Sequence, residues 1–185
     1  LASDCIILTG PTGSGKTALG IRIAQRLNAD ILSADSVAVY KGLDIGAAKP
    51  TREERAQATH HLLDLVDPAS LFTASDWLLA ATHIIEDCRA RGRRILFVGG
   101  TPLYLRCLRD GLDESPAIDH ELRNNLTYQL QQSGPEAFHK KLELLRPDVA
   151  ATIHPNDSKR IIRALEIIQV SGVNHKRSWT TAGNP

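Results

Sequence analysis

With 185 residues, 42% of them hydrophobic, the chain can bury a proper core, as one domain or as one domain carrying a smaller second one. Its 22 basic and 21 acidic side chains leave a formal charge of +1, which excludes a global basic field and confines any contact with nucleic acid to a local surface. No run approaches the roughly 18 apolar residues of a membrane span, and Cys5, Cys88 and Cys107 lack CxxC spacing; a soluble, cytoplasmic protein with reduced thiols and no zinc site is expected.

The run from Cys5 to Thr9 is almost wholly apolar, which predicts a strand buried on both faces of a parallel sheet. It leads into Gly10-Pro11-Thr12-Gly13-Ser14-Gly15-Lys16-Thr17. From Lys16 to Leu27, the spacing of Leu19, Ile23 and Leu27 predicts an amphipathic helix lying on that sheet. Ile31-Leu32-Ser33 predicts a second strand ending in Ala34-Asp35-Ser36, Pro50 to Arg55 a short helix, and His61 to Leu65 a third strand. A long helix is predicted from Ala74 to Arg91, capped near Thr73 or Ser75, and then a strand at Ile95-Leu96-Phe97-Val98.

This alternation predicts an α/β fold with a doubly wound sheet. From Asp119 onward the pattern is helical, with no strand candidate: Leu122, Leu126 and Leu130 share one face, Phe138, Leu142 and Leu145 another, Ile161, Leu165 and Ile168 a third. The boundary is expected at Glu114-Ser115-Pro116, with a catalytic α/β core over 1–113 and an all-helical insert over 114–185. The chain begins at Leu1, contains no methionine and stops at Pro185, so a fragment lacking the rest of the core is expected.

Residues Gly10, Pro11, Thr12, Gly13, Ser14, Gly15, Lys16 and Thr17 fit G-x-x-x-x-G-K-[ST] at every fixed position, between a strand and a helix. Glycines let consecutive backbone N–H groups face inward, the helix points its positive end at an anion, Lys16 reaches terminal phosphates, and Thr17 can hold Mg²⁺. The fold is therefore expected to be a P-loop NTPase-like parallel sheet flanked by helices. Nucleotide hydrolases of this kind carry a strand ending in a metal-binding Asp. Here the strand Ile95 to Val98 ends in Gly99-Gly100-Thr101, which argues against ATP or GTP hydrolysis.

Asp35 follows the second strand and so lies on the rim where ligands of open α/β sheets bind. It suits two roles, a turn cap or a general base. Gly99, Gly100 and Thr101 occupy the same rim, either as a tight turn or as a close backbone approach that places a hydroxyl at the site. In His154-Pro155-Asn156-Asp157-Ser158-Lys159-Arg160-Ile161-Ile162-Arg163, Asn156 or Asp157 can cap a helix on which Lys159 and Arg163 stand four apart. With Glu166 nearby for partial pairing, that basic turn reads either as a solvated face or as an anion site.

Together with Asp35-Ser36-x-x-x-Tyr40, Gly42 to Pro50, His60-His61-Leu62, Phe72-Thr73-Ala74-x-Asp76, Val98-Gly99-Gly100-Thr101-x-Leu103-Tyr104 and the segment from His154 to Glu166, the phosphate loop closely resembles the tRNA dimethylallyltransferase (isopentenyl-tRNA transferase) family over nearly the whole chain. The resemblance implies transfer of the dimethylallyl group of dimethylallyl diphosphate to N6 of the adenosine 3′-adjacent to the anticodon, with diphosphate released. It further implies that residues 10–17 hold the diphosphate, with Mg²⁺ at Thr17. Asp35 accepts the amine proton, Thr101 orients the amine, and Lys16 serves the leaving group. The tRNA anticodon stem-loop is expected to meet Asp35, Ser36, Val37, Ala38, Thr101, Arg123, Lys159, Arg160, Ile161, Ile162 and Arg163, with the adenosine extruded from its stack. A monomer is expected. Ala38 stands where members often carry Gln, leaving only a backbone contact there, and family members continue well beyond the equivalent of Pro185.

Three rivals remain open on the residues alone. An adenylate isopentenyltransferase of cytokinin synthesis uses the same donor on a free nucleotide, and the segment after His154 and the helical insert argue against it. A small-metabolite kinase would use the loop for ATP and Asp35 on a hydroxyl; the blocks after Tyr40 argue against that. A non-catalytic RNA-binding module is opposed by the presence of Asp35 and Thr101.

Overall fold

The computed structural model describes residues 5–113, 116, 119–173 and 179–180. Two compact units divide the chain, one over Leu1–Leu112 with Thr180–Pro185, the other over Asp113–Trp179. Glu114 and Ser115, where the boundary was placed, lie outside the described residues.

In the first unit, strands β1 (Cys5–Leu8), β2 (Ala29–Ser33), β3 (His60–His61) and β4 (Arg94–Val98) form one parallel sheet in the order β1-β4-β2-β3. Side chains alternate across each strand, and so the sheet has two apolar faces. On one, Leu32, Ile95 and Phe97 pack with Trp77, Ala81 and Ile85 of α3 (Ala74–Ala90) and Tyr104 and Leu108 of α4 (Pro102–Asp110). On the other, Ile31 and Leu96 pack with Ile21 and Ala24 of α1 (Lys16–Leu27). Helix α3 starts where its capping box dictates: Thr73 accepts from Asp76 N, and Asp76 accepts from Thr73 N.

Several sequence expectations change. β1 is an edge strand among the described residues, and Ile6 and Ile7 remain 37% and 38% exposed instead of buried on both faces. Helix α1 meets the sheet through Gly20, Ile21 and Ala24, not through Leu19, which is exposed; Ile23 and Leu27 are half-buried at the margin. The third strand stops after His61 because Leu62 and Asp64 adopt φ of 62° and 56°, which no strand can contain. The short helix predicted near Pro50 is α2 (Arg52–Gln57), closed by its own Thr51–Glu54 capping box.

In the second unit, α5 (His120–Ser133), α6 (Pro135–Leu145), α7 (Pro147–Ala150) and α8 (Ser158–Ser171) surround Leu126, Leu130, Phe138, Leu142, Ile161 and Leu165. The predicted leucine and isoleucine faces form this core. Helix α5 is capped by Asp119 and α8 by Asp157, each accepting from the third backbone N–H. The expectation of no strand after Asp119 fails at one place, since β6 (Trp179–Thr180) pairs with β5 (Leu112–Asp113).

Candidate active site

The phosphate loop joins β1 to α1 as its sequence dictates. Gly15 sits at the helix N-cap with φ 78°, a left-handed conformation that costs glycine nothing and lets the loop turn its N–H groups inward. The Lys16 ammonium folds back across the loop, 2.8 Å from the Gly10 carbonyl oxygen and 2.6 Å from that of Pro11. Residues Thr12, Gly13, Ser14, Gly15, Lys16 and Thr17 line one side of a cleft of about 360 Å³.

Asp35 lines the same cleft, as the strand-end argument expects. Its Oδ1 accepts from Val37 N at 2.8 Å and Ala38 N at 3.3 Å, so the turn-cap role is real. Its other oxygen makes no hydrogen bond among the described residues and is available to a ligand. One oxygen thus fills the turn-cap role, and the other leaves the base role open to a ligand.

The Thr101 hydroxyl accepts from Ser36 N at 2.9 Å, tying the end of β4 to the Asp35 turn. The two strand ends stay zipped beyond the sheet, through Ala34 N to the Val98 carbonyl at 2.9 Å and Thr101 N to the Ala34 carbonyl at 3.1 Å. This requires Gly99, where a Cβ would stand 2.3 Å from the Ala34 carbonyl carbon. Beneath them, Trp77 is fully buried, donates from Nε1 to the Ser33 carbonyl at 3.0 Å, and stacks on Tyr104 at 4.3 Å. Burial, then the neighbouring Tyr40 and Asp35, push the Tyr104 phenol up to about 12, so it stays neutral.

Ala38, expected from sequence at the tRNA, lines the cleft as well, and with Ile31, Ala47, Ala48, Leu63 and Val98, which had no site role from sequence, it makes the cleft apolar beyond its phosphate end. His60 also lines it. Burial is the largest influence on the His60 pKa and pushes it down, so the imidazole is neutral near pH 7, with Nδ1 2.8 Å from the Ala58 carbonyl oxygen. The cleft therefore offers donors for a phosphate at one end, apolar surface, and a carboxylate acceptor. Around the loop its donor set includes the hydroxyls of Thr17 and Ser14 and the Asp35 carboxylate, hard oxygen ligands of the kind Mg²⁺ takes alongside phosphate oxygens and water.

Asp30, His61 and Cys88 also converge, but as an ion-pair knot. Asp30 Oδ2 meets His61 Nε2 at 2.9 Å and Arg91 at 3.1 Å, while Oδ1 meets Arg93 at 2.7 Å. Burial alone would raise the Asp30 pKa; those three donors together bring it down to about 2, and burial beside Asp30 pushes the Cys88 thiol up to about 11. Two guanidiniums and a protonated thiol are poor company for a cation.

In the second unit, Lys159 and Arg160 are exposed in the first turn of α8, and Lys159 has no ion-pair partner among the described residues. Arg123 and Arg163 are placed differently from the sequence expectation. Both reach the fully buried carboxylate of Glu166, at 2.5 Å and 2.9 Å, and Glu166 also accepts from Asp119 N at 3.0 Å. Glu166 is therefore a wholly buried partner of two arginines, where partial pairing with the basic turn was expected. Ile161 and Ile162 turn their side chains into the core, because α8 places them on its buried face; whatever the turn offers a nucleic acid, it is not these side chains.

Among the described residues no helix is long and apolar enough to cross a membrane. The chain is 47% identical over 167 residues to a tRNA dimethylallyltransferase of Geobacter metallireducens, covering 90% of this chain and 54% of that protein. It is 45% identical to one of Francisella tularensis subsp. novicida, covering 95% and 57%. Among solved structures, the tRNA isopentenylpyrophosphate transferase of Bacillus halodurans is 40% identical with a TM-score of 0.58, covering 91% of this chain and 56% of that one. A eukaryotic dimethylallyltransferase acting on tRNA is 30% identical with a TM-score of 0.73, covering 90% and 42%. The chain spans about half the length of the curated relatives it matches. An isopentenyl transferase family model matches residues 3–69 and the IPP transferase model residues 38–184, most of the chain. With a phosphate loop, a rim carboxylate and that match on one sequence, the chain belongs to the IPP transferase family.

Proposed function

We propose that the protein carrying this chain transfers the dimethylallyl group of dimethylallyl diphosphate to N6 of the adenosine 3′-adjacent to the anticodon of tRNA. The observation that carries the reading is the single cleft in which a phosphate loop, an apolar wall and the Asp35 carboxylate meet. Residues Gly10 to Thr17 hold the diphosphate, and Ile31, Ala38, Leu63 and Val98 offer surface to the five-carbon chain. The N6 lone pair attacks the allylic carbon and the carbon–oxygen bond breaks, its electron pair leaving on diphosphate. Asp35 takes the proton that N6 sheds, and the Thr101 hydroxyl orients the amine. Inward-facing N–H groups and Lys16 stabilise the charge that grows on the leaving group. Thr17 would hold Mg²⁺, which when bound would supply Lewis-acid stabilisation of the same charge.

For the tRNA, Lys159 and Arg160 are exposed cations of the second unit that can meet phosphates, and Arg123 and Arg163 join them with charge shared with Glu166. The test uses the full-length protein with labelled dimethylallyl diphosphate, offered tRNA, AMP or no acceptor. Label is expected in tRNA alone. Label entering AMP but not tRNA overturns the proposal, and phosphorylation of a small molecule from ATP overturns prenyl transfer altogether.

A further inference from the structure

The segment Gly42 to Pro50 takes no part in the steps above, yet it carries Lys49, the one buried lysine among the described residues. Its side chain is 1% exposed. The ammonium donates to the Tyr40 carbonyl at 2.6 Å, to Asp44 Oδ1 at 2.9 Å and to Asp64 Oδ1 at 2.6 Å. Three protons meet three acceptors. Burial would lower its pKa, but the two carboxylates more than offset that and raise it, so the clamp is charged throughout the working pH range.

Those acceptors belong to three separate stretches of chain. Tyr40 closes the turn that Asp35 opens: Asp35 holds Val37 N and Ala38 N, and Tyr40 N returns to the Val37 carbonyl at 3.1 Å. Asp64 donates its own N–H to the Ala38 carbonyl at 3.1 Å and gives its second carboxylate oxygen to Arg55 at 2.8 Å. Ala48, Leu62 and Asp64 have φ of 46°, 62° and 56°, a group of left-handed non-glycine residues around one cation. Such conformations persist only where the surroundings over-determine them. Ala47, Ala48, Pro50 and Leu63 from the clamped stretches line the same cleft as the phosphate loop.

We propose that Lys49 is a positioning residue for the transfer reaction: its ammonium clamps the Asp35 turn, the 42–50 loop and the Asp64 corner into one wall, and so fixes where Asp35 stands relative to the phosphate loop. The inference rests on the transfer reading above. All three of its donors are engaged, so Lys49 acts through Tyr40 and Asp35 and not on the reacting atoms.

The test compares Lys49→Met, Lys49→Arg and Asp44→Ala with the wild type in the full-length protein. Lys49→Met is expected to lower kcat about a hundredfold, the cost of displacing a reacting group by about 1 Å, with KM for dimethylallyl diphosphate and affinity for inorganic diphosphate little changed. Lys49→Arg should recover most of that loss, and Asp44→Ala, which removes an exposed acceptor and leaves the other two, should lose less than Lys49→Met. Hydrogen exchange at the amides of Val37, Ala38 and Tyr40 should rise at least several-fold in Lys49→Met. A folded Lys49→Met enzyme with wild-type kcat, or with kcat intact and KM raised, overturns the proposal. If Lys49→Met does not fold, Asp44→Ala decides: unchanged kcat and unchanged exchange overturn it. A wild-type protein that labels no acceptor sinks the transfer reading instead, and the exchange measurement then judges the clamp by itself.

Discussion

Asp35→Asn is expected to lower kcat for prenyl transfer about a thousandfold while leaving affinity for tRNA essentially unchanged, the size of effect produced by removing a positioned general base. Asparagine is the informative replacement because Asp35 does two things. Its Oδ1 caps the turn through Val37 N and Ala38 N, and an amide oxygen can continue to do so. In the proposed reaction the other oxygen takes the proton, and an amide nitrogen cannot. Asp35→Ala removes both functions and is expected to lose turn stability as well. Single-turnover transfer to tRNA, with binding followed separately, checks this. Wild-type kcat in Asp35→Asn sinks the base assignment, and loss of tRNA binding with an intact fold reassigns Asp35 to recognition.

Glu166→Ala is expected to destabilise the second unit by about 3 kcal/mol, as removing one partner from a buried ion pair does. Three groups lose their acceptor together: Asp119 N, Arg123 and Arg163. The arginine side chains are each about a third exposed, 31% and 30%, and re-solvate in part, which holds the loss near the lower end of the usual range. Glu166→Gln keeps an acceptor for Asp119 N and loses the charge, so it should fall between. The pH dependence has a definite sign. Burial would raise the Glu166 pKa, but the two arginines bring it below the ordinary carboxylate value of 4.5. A lowered carboxylate contributes stability that is fully present above its unfolded value and is lost as pH falls through the folded one. The urea midpoint of the wild type should therefore move toward that of Glu166→Gln as pH falls below the ordinary carboxylate value and on through the lowered folded one. A constant difference between the two across that range contradicts the ion-pair account.

The phosphate loop was legible because its whole chemistry lies in eight consecutive residues, and Asp35 because parallel sheets present ligands beyond strand ends. Helical faces in the second unit were legible because a 3.6-residue period survives in one stretch of sequence. What escaped depends on pairs distant in the chain. Lys49 and Asp64 are 15 residues apart, and Arg123 and Glu166 43 apart; no local pattern marks either as an ion pair. The third strand was over-extended because Leu62, Leu63 and Leu65 read as strand residues, while the left-handed φ at Leu62 and Asp64 is imposed by the corner around Lys49. In α1, leucine spacing suggested one face and the sheet selected another, where Gly20 and Ala24 admit the helix closely against Val98. Family resemblance carried Ile161 and Ile162 over as part of a run, without showing which way α8 turns them.

The sequence contains two tryptophans, Trp77 and Trp179. Because the Trp77 indole is hydrogen-bonded to Ser33, two residues before Asp35, its emission is an optical probe one hydrogen bond away from a residue that lines the cleft. Within this chain, Trp179→Phe leaves that signal to one indole, excluded from water and stacked on Tyr104. Donor binding at the phosphate loop can then be followed in real time, without a label and separately from turnover.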